Sequence, residues 1–147
     1  MKIEKILFVC YGNVGRSQMA EAYYNHFTKS TKAISAGTDP TTPERYSKPG
    51  LEIIKVMKEE GIDISKKKVK MINVNMVKNS KKIYILCKQE LCPNFLLDSN
   101  KVVFWNIMDP HKMDINNTGI IRDEIKKYVL SIIQSVPQKE KSKSSLR

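Results

Sequence analysis

The fold is decided by residues 5–17, Lys-Ile-Leu-Phe-Val-Cys-Tyr-Gly-Asn-Val-Gly-Arg-Ser, where an apolar run enters a glycine-containing loop. The run Lys5–Cys10 is short, continuous and apolar, which is typical of a strand buried on both faces of a parallel sheet. Residues 17–29 then follow a helical pattern, and their apolar positions recur every four residues. These positions are Met19, Tyr23 and Phe27. The stretch predicts a strand-loop-helix unit with Cys10 at the carboxyl end of its strand.

Three further strands and three further helices are predicted along the chain. The strands are the apolar runs at residues 33–36, 83–87 and 102–105. The helical patterns cover residues 51–60, 73–79 and 119–134. Short buried strands separated by helices are typical of crossover units. We therefore expect one α/β domain of three layers over residues 1–136, with a four-stranded parallel sheet flanked by helices.

The C-terminal residues 137–147 form a basic, polar stretch that begins at Pro137. Proline breaks the preceding helical pattern, and the stretch has too few apolar residues to offset the entropy of ordering. We expect a disordered tail there.

The charge of the chain is strongly positive, with 26 Lys plus Arg against 15 Asp plus Glu and a formal net charge of +11. The excess is scattered over residues 66–70, 78–82 and the tail, without interleaved aromatic residues. This pattern favours a solvated lysine-rich surface that attracts anionic substrates over a nucleic-acid interface. No apolar run approaches the roughly 20 residues that cross a bilayer. We therefore expect a cytoplasmic monomer that binds neither nucleic acid nor membrane.

The loop after the first strand has the composition of an anion site. In open α/β sheets, ligands bind beyond the carboxyl ends of the strands, where helix N-H groups point at them. Gly12 and Gly15 allow successive N-H groups to turn inward, and Asn13 tolerates a left-handed backbone. The residues expected to ring the anion are Tyr11, Gly12, Asn13, Val14, Gly15 and Arg16.

The chemistry predicted for this loop is nucleophilic attack by Cys10. A thiol at a helix N-terminus, in the positive field of the loop, favours its thiolate form. Arg16 offers a planar fork of donors that holds two anion oxygens and follows their charge into the transition state. Ser17 can donate a hydrogen bond to the sulfur. The alternative is that Cys10 is a buried structural thiol and Arg16 an ordinary residue at a helix start.

Residues 9–21, Val-Cys-Tyr-Gly-Asn-Val-Gly-Arg-Ser-Gln-Met-Ala-Glu, resemble the signature of a known superfamily. It joins the low-molecular-weight protein tyrosine phosphatases and the thioredoxin-coupled arsenate reductases. Later landmarks match in order: Ile-Ser-Ala-Gly-Thr at 34–38, Gly-Ile-Asp-Ile-Ser at 61–65, and Asp109-Pro110. The resemblance covers nearly the whole chain and implies that Asn13 bonds Ser35, which would support the loop.

The proton donor for the leaving oxygen is predicted to be Asp109. A thiolate that displaces an alkoxide or hydroxide needs an acid on the opposite side of the anion. Asp109 follows the fourth predicted strand, hence lies on the same sheet edge as Cys10, and Pro110 stiffens its loop. On its residues alone, Asp-Pro is a turn signal; the resemblance implies the catalytic role.

The two remaining cysteines, Cys87 and Cys92, help to decide between arsenate reduction and phosphate ester hydrolysis as the activity of the chain. Three cysteines without a secretory signal favour reactive or redox-coupled thiols. An arsenate reductase expels arsenite with a second thiol and closes a disulfide with a third. Cys92-Pro93, Trp105 and Asp109-Pro110 look like the arsenate reductase series, although the four-residue spacer between the cysteines is shorter than that pattern. The alternative is that Cys87 is a buried strand residue and Cys92 an incidental loop thiol.

Three hypotheses follow for the function. The leading one is an arsenate reductase that uses Cys10, Cys87 and Cys92 in sequence, with thioredoxin or a similar dithiol as reductant. The second is a phosphotyrosine phosphatase that hydrolyses a phosphocysteine through water activated by Asp109. The third is an anion-binding protein without catalysis. No cofactor or metal is expected, since His26 and His111 are too isolated for a zinc site.

Overall fold

The computed structural model describes residues 5–135. Within this range, four strands alternate with five helices. In chain order they are β1 (Lys5–Cys10), α1 (Arg16–Thr28), β2 (Ala33–Gly37), α2 (Leu51–Lys58), α3 (Val74–Lys78), β3 (Ser80–Ile85), α4 (Asn94–Leu97), β4 (Val102–Phe104) and α5 (Ile115–Ser135). A 3₁₀ turn, Gln89–Leu91, precedes α4. The tail expected at residues 137–147 lies outside the described residues.

The four strands form one parallel sheet in the order β2-β1-β3-β4. β1 lies between β2 and β3, with Cys10 beside Gly37 and Val9 beside Ile85. The prediction of a single α/β domain with four parallel strands flanked by helices is confirmed. Because all four strands run the same way, their carboxyl ends meet at one edge, and Cys10 lies at the centre of that edge.

The core is built on β1, where Leu7, Phe8 and Val9 are fully buried. Each such side chain contributes about 1.5–3 kcal/mol through the area it removes from water. Phe8 stacks on Tyr84 of β3 at 5.6 Å between ring centroids. Trp105 lies 4.5 Å from Tyr84, again between centroids. Helices α1 and α5 pack against each other over this aromatic layer, which fixes the start of α1 relative to the sheet edge.

Three strands differ from their predicted bounds, and the first of them, β2, runs one residue further than predicted, to Gly37. β3 runs over Ser80–Ile85 instead of 83–87, so Cys87 lies two residues beyond the strand rather than at its end. Ser80 belongs to the strand because its backbone pairs with Lys5 of β1, and this pairing does not depend on the side chain. β4 ends at Phe104, one residue early, although the N-H of Trp105 still donates to the carbonyl of Ile85.

The helices also differ from their predicted bounds at several ends. α5 begins at Ile115 rather than at residue 119, because the Asp114 carboxylate accepts the N-H of Asn117 and caps the first turn. α2 ends at Lys58, and Leu51 lies on its solvent side with 69% of its surface exposed. No helix within residues 5–135 is long and apolar enough to cross a bilayer.

Candidate active site

The loop between β1 and α1 is held in shape by the side chain of Asn13. Asn13 is completely buried and has a left-handed backbone, with φ of 58°. Its Nδ2 donates to Ser17 Oγ at 2.7 Å and to Ser35 Oγ at 3.0 Å. Its Oδ1 accepts from Gln18 Nε2 at 3.2 Å and from the N-H of Lys70 at 2.9 Å. All four hydrogen-bonding positions of the amide are therefore filled, which fixes both its orientation and the path of the loop.

Cys10 is buried at the base of this loop, with 2% of its surface exposed. Its Sγ lies 2.9 Å from Ser17 Oγ and accepts the N-H of Asn13 at 3.3 Å. Because Ser17 Oγ already accepts from Asn13, its own hydrogen is free to point at the sulfur. Two donors thus converge on the Cys10 sulfur and hold it at the base of the loop.

Gly37 allows the loop to pass close to β2. A Cβ atom at this position would lie 2.6 Å from the carbonyl oxygen of Tyr11 and 3.0 Å from the N of Asn13. Such approaches are too short for a side chain, so position 37 admits only glycine while the loop keeps its path. The neighbouring backbone completes the junction, since Thr38 and Asp39 donate their N-H groups to the carbonyls of Cys10 and Tyr11.

Arg16 begins α1 and is anchored by two carbonyls. Its Nη1 donates to the carbonyl of Leu86 at 2.6 Å and to that of Ile107 at 3.0 Å. The side chain is only 9% exposed. With one edge of the guanidinium tied to the segments after β3 and β4, the other edge remains for a ligand at the loop. These carbonyl anchors could not be predicted from the sequence, because backbone carbonyls carry no residue signature.

Asp109 stands at the rim of the same site. Its Oδ2 lies 3.7 Å from Arg16 Nη2, and its Oδ1 accepts the N-H of His111 at 2.9 Å. The carboxylate is 58% exposed, so it is accessible from solvent. The loop that follows β4 thus brings Asp109 to the sheet edge on which Cys10 lies, where an acid could meet the leaving group of a bound oxyanion.

A buried carboxylate, Glu21, lies behind the loop and was not singled out from the sequence. Its Oε1 accepts the hydroxyl of Ser35, at 2.5 Å, and its Oε2 is 3.0 Å from Lys67 Nζ. Since the Ser35 hydrogen goes to Glu21, the Ser35 oxygen is left to accept from Asn13. A continuous chain of hydrogen bonds therefore runs from the Lys67–Glu21 ion pair to Cys10.

Cys87 and Cys92 lie together beside this site. Their Sγ atoms are 4.0 Å apart, and both are free thiols. Cys87 is buried and Cys92 partly exposed. The hydrogen bond to Cys92 and burial raise the pKa of Cys87, whereas the hydrogen bond from Cys87 lowers the pKa of Cys92. Cys92 therefore takes the first negative charge of the pair, because it is the sulfur nearer to water.

The mouth of the site is a cleft of about 330 Å³. Besides the loop, which includes Tyr11, its lining includes Tyr46, Ile53, Pro110 and Met113. An anion with four oxygens takes about the space of four waters, roughly 120 Å³ at about 30 Å³ each. The cleft therefore has room for an organic group attached to the anion. Within residues 5–135, no three His, Cys, Asp or Glu side chains are grouped to hold a metal ion.

The sequence-predicted site residues fall into three groups in space. Cys10, Arg16 and Asp109 line one cleft together with Tyr11, Gly12, Val14 and Gly15. Ser17, Asn13 and Ser35 lie beneath it as buried supports. Cys87 and Cys92 form the adjoining thiol pair. The residues missed from sequence are Gly37, named only within its motif, and Glu21, whose sole signal is an acidic residue among apolar ones in α1.

Comparisons with known proteins agree with this geometry. Residues 5–143 match the family described as low molecular weight phosphotyrosine protein phosphatase. An arsenate reductase of Staphylococcus aureus (strain Newman) is 34% identical over 131 residues, covering 86% of this chain and 93% of the relative. An arsenate reductase of Bacillus cereus (strain 03BB102) is 31% identical over 127 residues, covering 84% and 90%.

Solved structures share the fold. A low molecular weight protein tyrosine phosphatase from T. tengcongensis superposes with a TM-score of 0.76 at 25% identity, covering 90% of this chain and 99% of that one. An arsenate reductase in the phosphate-binding state superposes with a TM-score of 0.73 at 24% identity, covering 90% and 98%. The second likeness, below 25% identity, supports the fold alone.

Proposed function

Because this chain belongs to the low molecular weight phosphotyrosine protein phosphatase family, we propose that it is a cytoplasmic, monomeric arsenate reductase on that scaffold. The observation that carries the proposal is the thiol pair: Cys87 and Cys92 have their sulfurs 4.0 Å apart, and Cys87 directly follows Leu86, whose carbonyl accepts from Arg16. A hydrolase of this mechanism needs one cysteine, whereas expelling arsenite as proposed requires three. The curated relatives named arsenate reductase support this choice.

In the first step, Cys10 attacks arsenate bound by the loop and Arg16. The Cys10 thiolate forms a sulfur-arsenic bond while one arsenic-oxygen bond breaks. Asp109 protonates the departing oxygen, which leaves as water. The loop N-H groups and the free edge of Arg16 stabilise the charge that builds on the remaining oxygens. Ser17 holds the sulfur in place with its hydroxyl.

In the second step, Cys87 attacks the sulfur of Cys10. A disulfide forms between them as the sulfur-arsenic bond breaks, and its electron pair reduces arsenic from the +5 to the +3 state. Arsenite departs. Cys92 then attacks Cys87, forms the Cys87–Cys92 disulfide and releases Cys10 as a thiolate.

The proposed reductant is thioredoxin or a similar dithiol protein, and no bound cofactor is required. The disulfide of Cys87 and Cys92 is opened by attack at Cys92, since that residue is the more exposed of the two. Two electrons from the external dithiol restore the starting state. A cytoplasmic location fits this cycle, because reductants there keep thiols reduced.

The experiment that tests the proposal is arsenate turnover with a thioredoxin system. Wild type is compared with Cys10→Ser, Cys87→Ser and Cys92→Ser. All three substitutions should abolish sustained turnover, because each removes one member of the relay. Full turnover in Cys87→Ser or Cys92→Ser contradicts the three-thiol mechanism.

The second candidate function is phosphotyrosine hydrolysis, favoured by the size of the cleft. Tyr11 and Tyr46 stand in a cleft with space beyond the anion, where an aromatic ring could stack. Hydrolysis would share the first step and then use water, activated by Asp109, on the phosphocysteine. Asp109→Asn should lower kcat for an aryl phosphate by about a hundredfold or more. Strong hydrolysis with no arsenite formation would select this function instead.

A further inference from the structure

Thr38 carries a buried hydroxyl that the first chemical step does not use. The residue is 7% exposed, and its Oγ1 makes no hydrogen bond to any group in residues 5–135. A buried hydroxyl without a partner is unfavourable and rare in folded proteins, so its position needs a reason.

Thr38 and Cys87 lie on opposite sides of the end of β1. The N-H of Thr38 donates to the carbonyl of Cys10 at 3.0 Å. The N-H of Leu86, one residue before Cys87, donates to the carbonyl of Val9 at 2.7 Å. Both residues therefore stand one level beyond Cys10, where β1 turns away into the loop. Thr38 also lines a cavity together with Cys92, whose sulfur lies 4.0 Å from that of Cys87.

The ionisation of Cys87 depends on a small set of groups. The hydrogen bond with Cys92 and burial raise its pKa, whereas the charge of Arg16 and the proximity of the Thr38 hydroxyl, which makes no full hydrogen bond in this state, lower it. Arg16 comes from α1, Cys92 from the segment after the 3₁₀ turn, and Thr38 from the end of β2. Arg16 is already engaged by the carbonyls of Leu86 and Ile107 and by its place in the loop. Thr38 is therefore the donor that remains free for the sulfur.

We propose, on the basis of the reductase function above, that the Thr38 hydroxyl donates a hydrogen bond to the Cys87 sulfur as it becomes the attacking thiolate. The Cys87 proton passes to the Cys92 sulfur, which takes the first negative charge of the pair, before attack. The sulfur-sulfur bond to Cys10 then forms while the sulfur-arsenic bond breaks and its electron pair stays on arsenic. Thr38 exchanges no atom or electron in this step; it stabilises the nucleophile.

A test independent of arsenate measures the alkylation of Cys87 against pH. In a Cys10→Ser/Cys92→Ala chain, Cys87 is the only thiol, since the sequence has three cysteines. Adding Thr38→Val should raise the midpoint of the profile by about one pH unit, which is about tenfold less thiolate at a given pH below the midpoint. Thr38→Ser should restore the original midpoint. Superimposable profiles with and without Thr38→Val overturn the proposal.

A second test follows arsenite release in one turnover of the otherwise unchanged protein. Thr38→Val should slow arsenite release at least about tenfold more than it slows aryl phosphate hydrolysis, because only the former uses Cys87. Thr28→Val is the matched control, since its hydroxyl bonds the Tyr24 carbonyl at 2.7 Å within α1. Equal losses in both activities overturn the proposal. If the unsubstituted chain releases no arsenite, the reductase function fails, while the alkylation profile still decides the role of Thr38.

Discussion

Replacing Asn13 with alanine removes the side chain that holds the catalytic loop in shape. The substitution deletes four hydrogen bonds, to Ser17, Ser35, Gln18 and the Lys70 N-H. At about 1 kcal/mol net for each bond, the loss is about 4 kcal/mol. Alanine also meets a steric cost of about 1 kcal/mol at the positive φ of this position. We expect the free energy of unfolding to fall by about 3–5 kcal/mol, the lower value allowing for relaxation.

The loss can be measured by urea denaturation followed through the fluorescence of Trp105, the single tryptophan of the chain. Trp105 packs on Tyr84 in the core, so its emission reports global unfolding. Natural domains are stable by about 5–15 kcal/mol, so the variant should still show a folded baseline.

Asn13→Gly is the control that separates the two contributions. Glycine loses the same four hydrogen bonds but adopts positive φ without strain. After its greater entropy in the unfolded chain is counted, Asn13→Gly should be more stable than Asn13→Ala by about 0.5–1 kcal/mol. A loss below about 1 kcal/mol in both variants would refute the reasoning, because the network would then contribute little beyond one ordinary hydrogen bond.

Three further predictions concern the groups around this network. Gly37→Ala should lower oxyanion affinity, measured by phosphate inhibition of aryl phosphate hydrolysis, since its Cβ would lie 2.6 Å from a loop carbonyl; unchanged affinity would show that the loop can shift freely. Glu21→Gln removes the charge that accepts the Ser35 hydroxyl and should cost about 1–2 kcal/mol in urea denaturation, whereas a stability equal to wild type would mean that the buried ion pair contributes nothing. Because the pKa of Cys92 is lowered by Cys87, Cys92 should be alkylated faster near pH 7 than a free cysteine, and Cys87→Ala should move its profile to higher pH; an unmoved profile contradicts the coupling.

The strand and loop at the start of the chain could be predicted closely, because their signals are local. β1 has the predicted bounds, since a continuous apolar run between charged and glycine-containing stretches leaves few alternatives. β3 was placed three residues late at its start, because Ser80 and two lysines look unlike a buried strand. Pairing with β1 is a contact between segments distant in sequence, and it overrides that local preference.

In the candidate site, too, some features could be predicted from local sequence and others depend on contacts between distant segments. The arrangement of Cys10, Arg16 and Asp109 in one cleft follows from motif and sheet topology, both visible in the sequence. The carbonyl anchors of Arg16 and the Glu21 support are not visible, because they depend on how segments meet in space. The 4.0 Å approach of the two remaining thiols is likewise a property of the segment after β3, whose 3₁₀ turn was not predicted.

The central claim is that Cys10, Cys87 and Cys92 reduce arsenate together, and a single turnover without external reductant tests it most directly. Fully reduced protein, freed of reductant, is mixed with excess arsenate; arsenite, free thiols and disulfide-linked peptides are then counted. The account predicts one arsenite per chain, the loss of two of the three thiols, and a disulfide between Cys87 and Cys92. Retention of all three thiols with no arsenite formed would contradict it.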